Sequence, residues 1–163
     1  LSGEAWRAGA IWATQNRYDH ACPTVDCLIY DGPEVWMGKK STEEKLRFVG
    51  GFVDPGRDSS FEEAALREAK EETGLECTVV EYIRSWKVDD WRYVNETDKV
   101  FTSLFALNRV GGTPAAGDDI AEIRRVNLMS LSEDDVVEEH IPLLNAAKEW
   151  HREMMQETIE KED

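Results

Sequence analysis

From residue 46 to residue 75 the chain reads as four units: Leu-Arg-Phe-Val at 46–49, the pair Gly50-Gly51, a turn-rich Asp-Pro-Gly-Arg-Asp-Ser-Ser at 54–60, and an acid-rich stretch closed by Gly74-Leu75. The first unit predicts a short strand that runs straight into the glycines, where a missing Cβ lets backbone approach a ligand or a metal. Ser59 or Ser60 is placed to cap a helix over Phe61–Thr73, and Gly74 is the usual left-handed terminator. Phe61, Ala64, Ala65 and Ala69 give that helix a side of mostly small residues, suited to close packing on a sheet. Glu68, Glu71 and Glu72 stand three and four positions apart and share a face. Three clustered carboxylates repel one another. Arg67 can pair with Glu63 or Glu71 but cannot satisfy them all. A magnesium or manganese ion would, because hard cations prefer oxygen ligands. The competing reading is a solvated acidic face, common in a chain of net charge -15.

That charge comes from 34 Asp plus Glu against 19 Lys plus Arg in 163 residues. It argues against binding duplex nucleic acid, which needs excess positive charge, and against a polybasic membrane anchor. No run approaches 18 apolar residues, so no membrane span is expected. An acidic chain that handled a phosphate substrate would need divalent cations at its site. With 41% apolar residues the chain can bury a core, and its length suits a single domain over 1–163. Cys22, Cys27 and Cys77 are odd in number and too few for a disulfide framework, so they read as small buried hydrophobes in a reducing, cytoplasmic compartment. No basic segment followed by an apolar stretch and a cleavage site is visible.

Elsewhere, Trp6, Ile11 and Trp12 suggest a short helix or covering arm within 1–21. Thr24–Tyr30 and Val35–Met37 read as a hairpin turning at Asp31-Gly32-Pro33, and Lys39–Lys45 as polar loop. Further strands are expected at Cys77–Ile83, Arg84–Val88 and Val100–Leu107, the last central because both its faces are apolar. A short strand is expected at Arg125–Leu128 and a helix start at Ser132. Leu143, Ala147, Trp150 and Met154 mark one face of a C-terminal helix at about 143–160. His140 and His151 are set aside as catalytic groups for want of a partner.

Gly-Gly-Phe-Val-Asp-Pro-Gly at 50–56 followed by Glu62 through Leu75, with Arg67-Glu68, Glu71-Glu72 and Gly74-Leu75 in place, resembles the Nudix box, the signature of the Nudix hydrolase family. The resemblance implies an α/β/α sandwich with a mixed central sheet and cleavage of nucleoside diphosphates linked to another moiety. It implies Mg²⁺ or Mn²⁺ as cofactor, held by Glu68, Glu72 and Glu71 with the backbone carbonyl of Gly51; Glu71 could instead orient the attacking water. Arg67 would orient these glutamates. A later carboxylate often joins such sites, and of Asp118, Asp119 and Glu122 the last has a slight edge. The family's usual glutamate after the loop glycine is here Arg57, and the loop is two residues longer, so that acid is either lost or replaced by Asp54 or Asp58.

For the organic part of a substrate, Trp91 and Tyr93 can stack on a base and Arg92 can fork onto phosphate oxygens. Arg84 and Lys87 are further positive candidates near the opening, although they read first as plain surface charges. The same aromatics could instead pack the core or a homodimer contact. The expected substrate is ADP-ribose or a nucleotide sugar, since Asp54-Pro55-Gly56 with Asp90 through Tyr93 looks similar to Nudix domains of nicotinamide nucleotide metabolism. The alternatives are a nucleoside triphosphate pyrophosphatase and a non-catalytic nucleotide sensor, the latter favoured by Arg57.

Overall fold

The structure, a computed structural model, describes residues 3–15, 20–88 and 99–162. In chain order the elements are α1 (Gly3–Gln15), β1 (Ala21–Asp31), β2 (Glu34–Lys40), β3 (Val49–Phe52), α2 (Phe61–Thr73), β4 (Leu75–Lys87), β5 (Lys99–Gly112), β6 (Ile120–Val126) and α3 (Ile141–Glu162). The six strands form one sheet in the order β4-β5-β1-β2-β6, with β3 also on β1. The β1–β5 pair is parallel and every other pairing is antiparallel, so the sheet is mixed.

The two central strands are buried on both faces, and the alternation along them divides the core in two. Val25, Cys27 and Ile29 of β1 join Phe105 and Leu107 of β5 beneath Ala64, Ala65 and Ala69 of α2. Leu28 and Leu104 point the other way, toward Leu143, Leu144 and Ala147 of α3. The result is an α/β/α sandwich. Among the described residues no helix is long and apolar enough to cross a membrane.

One feature of the pairing positions the site. Along β5, β1 is paired from Ala21 to Tyr30, but its other edge is shared. Thr24–Cys27 pair with β3 and Ile29–Asp31 pair with β2. The sheet therefore forks at β1, and the chain between the branches crosses through single bridges at Arg47 to Gly38 and Leu46 to Val136.

Several elements differ from the sequence expectation. Residues 77–87 belong to one strand, β4, with register shifts between Glu76 and Cys77, Val79 and Glu81, and Tyr82 and Arg84. Such bulges break the period-two pattern that a strand otherwise shows. The strand expected at 125–128 instead runs from Ile120 to Val126, and Leu128–Ser130 form a 3-10 turn capped by Asn127. Ser132 starts only one 3-10 turn, Glu133–Asp135. Its continuation is stopped because Asp135 O and Val137 N are taken by Leu46, which holds this segment extended. The last helix begins at Ile141, with Pro142 in its first turn, where a missing N–H costs nothing. On its expected apolar face Leu143 and Ala147 are buried and Trp150 packs on the core, but Met154 is exposed.

Candidate active site

Ser60, rather than Ser59, caps α2: its hydroxyl accepts from the Glu63 N–H, and Gly74 closes the helix at φ 70°. The alanines bury against the sheet and carry Glu68 and Glu72 with them, so both carboxylates are buried beside β3. The glycine pair lets β3 lie close to its neighbours on both sides, Gly51 to α2 and Gly50 to β1. A Cβ on Gly51 would stand 2.8 Å from the Glu68 carboxylate, and one on Gly50 would stand 2.0 Å from the Val25 carbonyl. The Gly50 N–H donates to Glu72 Oε2 at 2.7 Å.

Arg67 organises the rest of this helix face. Its Nε donates to Asp58 Oδ1 and its Nη2 to Asp58 Oδ2, both at 2.8 Å, a two-point grip on a carboxylate. Its Nη1 reaches Glu68 Oε1 at 2.7 Å and Glu71 Oε2 at 3.0 Å. Asp58 is thus the acid that faces Arg67 in this longer loop, while Asp54 caps the turn by accepting from the Gly56 N–H. The guanidinium of Arg67 holds Asp58 down at about 2. Arg57 turns to the other oxygen of Glu71, Nη2 to Oε1 at 2.6 Å. Glu71 is lowered by Arg57 first and by Arg67 as well.

Glu72 has a different environment. Burial pushes it up to about 8, against the Gly50 N–H and with the added charge of Asp119. Burial likewise raises Glu68, against the pull of Arg67. Oxygens of Glu72, Asp118 and Asp119 all lie within 4.8 Å of one another. Asp118 holds a left-handed conformation at φ 51°, uncommon for a residue with a Cβ. These donors are hard carboxylate oxygens, the kind magnesium and manganese take, so the cluster can hold a divalent cation.

The cluster opens into a cavity of about 400 Å³ lined also by Glu68, Gly51, Lys40, Arg47, Asp26, Thr102 and His140. The floor of the cavity is polar and buried. Thr102 Oγ1 donates to Asp26 Oδ2, and burial pushes Asp26 up to about 6 despite Thr102 and Arg47. His140 Nδ1 accepts from the Phe48 N–H at 3.1 Å, which places the ring proton on Nε2 in the neutral form. That Nε2 lies 3.9 Å from Asp26 Oδ1 and 3.3 Å from Arg47 Nη2. Arg47 is anchored at its other end by Glu43 at 2.7 Å. This floor can offer hydrogen-bond donors and an acceptor to a polar organic group.

Of the residues singled out in the sequence, Gly51, Glu68 and Glu72 line this cavity. Glu71 faces the two arginines. Glu122 lies on β6 with its carboxylate on Arg124, while Asp118 and Asp119 occupy the mouth. Arg84 pairs with Glu149 at 3.2 Å and lines a separate surface recess with Trp86, Lys148 and Arg152. Trp91, Arg92 and Tyr93 lie outside the described residues. Sequence reasoning missed Asp26, Lys40, Arg47 and Thr102 and set His140 aside, although all five line the cavity. Only Asp26 and Arg47 left a signal, each a charge inside an otherwise apolar strand-like run.

The comparisons give the family of this α/β/α sandwich with its carboxylate-lined mouth at a glycine–helix junction. Residues 20–157 match the NUDIX domain, and the chain belongs to that family. It is 33% identical over 117 residues to a protein named ADP-ribose pyrophosphatase from Methanocaldococcus jannaschii. That match covers 70% of this chain and 66% of the relative, just under two thirds of its length. The NUDIX domain of Shewanella oneidensis NrtR, solved in complex with ADP ribose, superposes with a TM-score of 0.66 at 18% identity, covering 85% of this chain and 96% of that one. A NUDIX hydrolase from Nitrosomonas europaea gives a TM-score of 0.66 at 18% identity, over 83% of this chain and 74% of the other. At these identities the two structures share the fold.

Proposed function

We propose that the chain is a Mg²⁺- or Mn²⁺-dependent pyrophosphohydrolase acting on nucleoside diphosphate derivatives, with ADP-ribose or a nucleotide sugar as substrate. The observation that carries this reading is the convergence of Glu72, Asp118 and Asp119 within 4.8 Å at the mouth of a cavity that Glu68 also lines. A diphosphate resists attack because its oxygens are negative and its leaving group is poor. A divalent ion held by these residues supplies charge neutralisation and an acidified water. Glu72, Glu68, the Gly51 carbonyl and the two aspartates would hold it. Arg67, fixed by Asp58, keeps Glu68 in place. The floor of Asp26, Arg47 and His140 would receive the polar organic part of the substrate. The 33% identity to a protein named ADP-ribose pyrophosphatase supports ADP-ribose as the first substrate to try. The three cysteines carry no disulfide, which suits a reducing, cytoplasmic setting.

The test is incubation with ADP-ribose, nucleotide sugars and nucleoside triphosphates, with and without Mg²⁺ or Mn²⁺, with product identification. AMP plus ribose 5-phosphate, lost at least a hundredfold in Glu72→Gln, is the expected result. A triphosphate yielding monophosphate and pyrophosphate in preference would move the substrate class. A second reading, nucleotide binding without turnover, is favoured by the hold of Arg57 and Arg67 on both oxygens of Glu71. Tight ADP-ribose binding with no product at any metal concentration would select it.

A further inference from the structure

Lys40 ends β2 at the cavity mouth, and its ammonium is paired with Oδ2 of Asp119, one of the three clustered carboxylates. Its position is set by the fold. Pairing of β2 with β6 shifts register between Lys39 and Lys40, so that Lys39 faces Glu122 and Lys40 faces Ile120. Such an irregularity re-aims a side chain, and Lys40 lines the cavity together with Glu68, Glu72, Asp118 and Asp119. Its side chain is 24% exposed, enough to move without unpacking the core.

We infer that Lys40 is an exchangeable counterion that binds substrate phosphate. The inference rests on the proposed metal-dependent reading of the same cluster. A divalent cation on Glu72, Asp118 and Asp119 needs the carboxylate that Lys40 now neutralises, and two positive charges on one carboxylate repel each other. Released from Asp119, the ammonium stays in the cavity that it lines together with Arg47, where a substrate phosphate would meet it. A lysine suits the exchange, since it is a point charge on a flexible four-carbon stem with rotatable donors. Arg47, paired with Glu43 at 2.7 Å and Glu139 at 4.0 Å, and Arg67, gripped by Asp58 and Glu68, are in contrast each held at more than one point and are not free to swing. Lys40 thus weakens the first step, ion uptake, and strengthens the second, capture of the anion.

The experiment measures Mn²⁺ binding, by the paramagnetic resonance of free Mn²⁺, and affinity for α,β-methylene-ADP at saturating Mn²⁺. Both are read in wild type, Lys40→Gln and Lys40→Arg, with folding checked by thermal melts. In Lys40→Gln the expected result is about tenfold tighter Mn²⁺ and about tenfold weaker analogue, with Lys40→Arg close to wild type in both. Unchanged or weaker Mn²⁺ binding in Lys40→Gln, or unchanged analogue affinity, overturns the inference and leaves the metal site standing. A wild-type protein that takes up no Mn²⁺ overturns the metal site itself, and this inference with it.

Discussion

Asp26 shows how a single residue couples the site to the stability of the fold. It sits in β1 with Leu28 on its own face, where Thr102, Arg47 and His140 meet it, and Glu68 adds like charge from the helix side. Burial is the main cause of its rise from 3.8 to about 6. The sign follows directly. A carboxyl whose folded value lies above its unfolded one stabilises the fold while protonated, and that contribution is lost as pH rises from about 4 through about 6. Asp26→Asn removes the titration while keeping an acceptor for the Thr102 hydroxyl. Urea unfolding should therefore find the variant close to wild type at pH 4 and more stable at pH 8, by up to about 3 kcal/mol. Equal differences at both pH values would show that Asp26 is not held up by burial.

At the scale of elements, the contact of α2 with β3 does the positioning. Gly51→Ala puts a methyl group 2.8 Å from the Glu68 carboxylate. That carboxylate ends a side chain that can swing away, so the fold should survive with a melting temperature within a few degrees of wild type. The carboxylate itself would be displaced, and turnover should fall about a hundredfold. A variant with intact kinetics would show that Glu68 acts from elsewhere. The same elements explain what could be read from the sequence. The bounds of α2 were legible because the cap at Ser60, the four-residue recurrence and the stop at Gly74 are all local signals. β4 was split in reading because its bulges interrupt the alternation that marks a strand. Asp119 could not be told from Glu122, since what separates them is a register between β2 and β6, strands 80 residues apart along the chain at Lys40 and Ile120.

At the scale of the whole molecule, the cavity exists because β1 divides its edge between β2 and β3. Asp26, Arg47 and His140 meet there from three distant stretches, so no spacing in the sequence could have grouped them. A cation in this cleft would bind the folded chain far better than the unfolded one. Free Mg²⁺ at about a hundred times its dissociation constant should then add about 2.7 kcal/mol of stability. For a chain of this size that is a rise in melting temperature of about 5–10 °C, lost on adding EDTA. Melting curves identical with Mg²⁺ and with EDTA would contradict a cation site in the cleft.

The left-handed turn at Asp118 carries one more consequence. An asparagine tolerates that conformation as readily, yet brings no negative charge to a crowded rim. Asp118→Asn should make the protein melt higher without divalent ions and take them up less tightly, so durability and ion capture trade against each other through one oxygen. Calorimetry and ion titration on that one variant would expose the antagonism, and a variant that both melts lower and binds ions more tightly would abolish it.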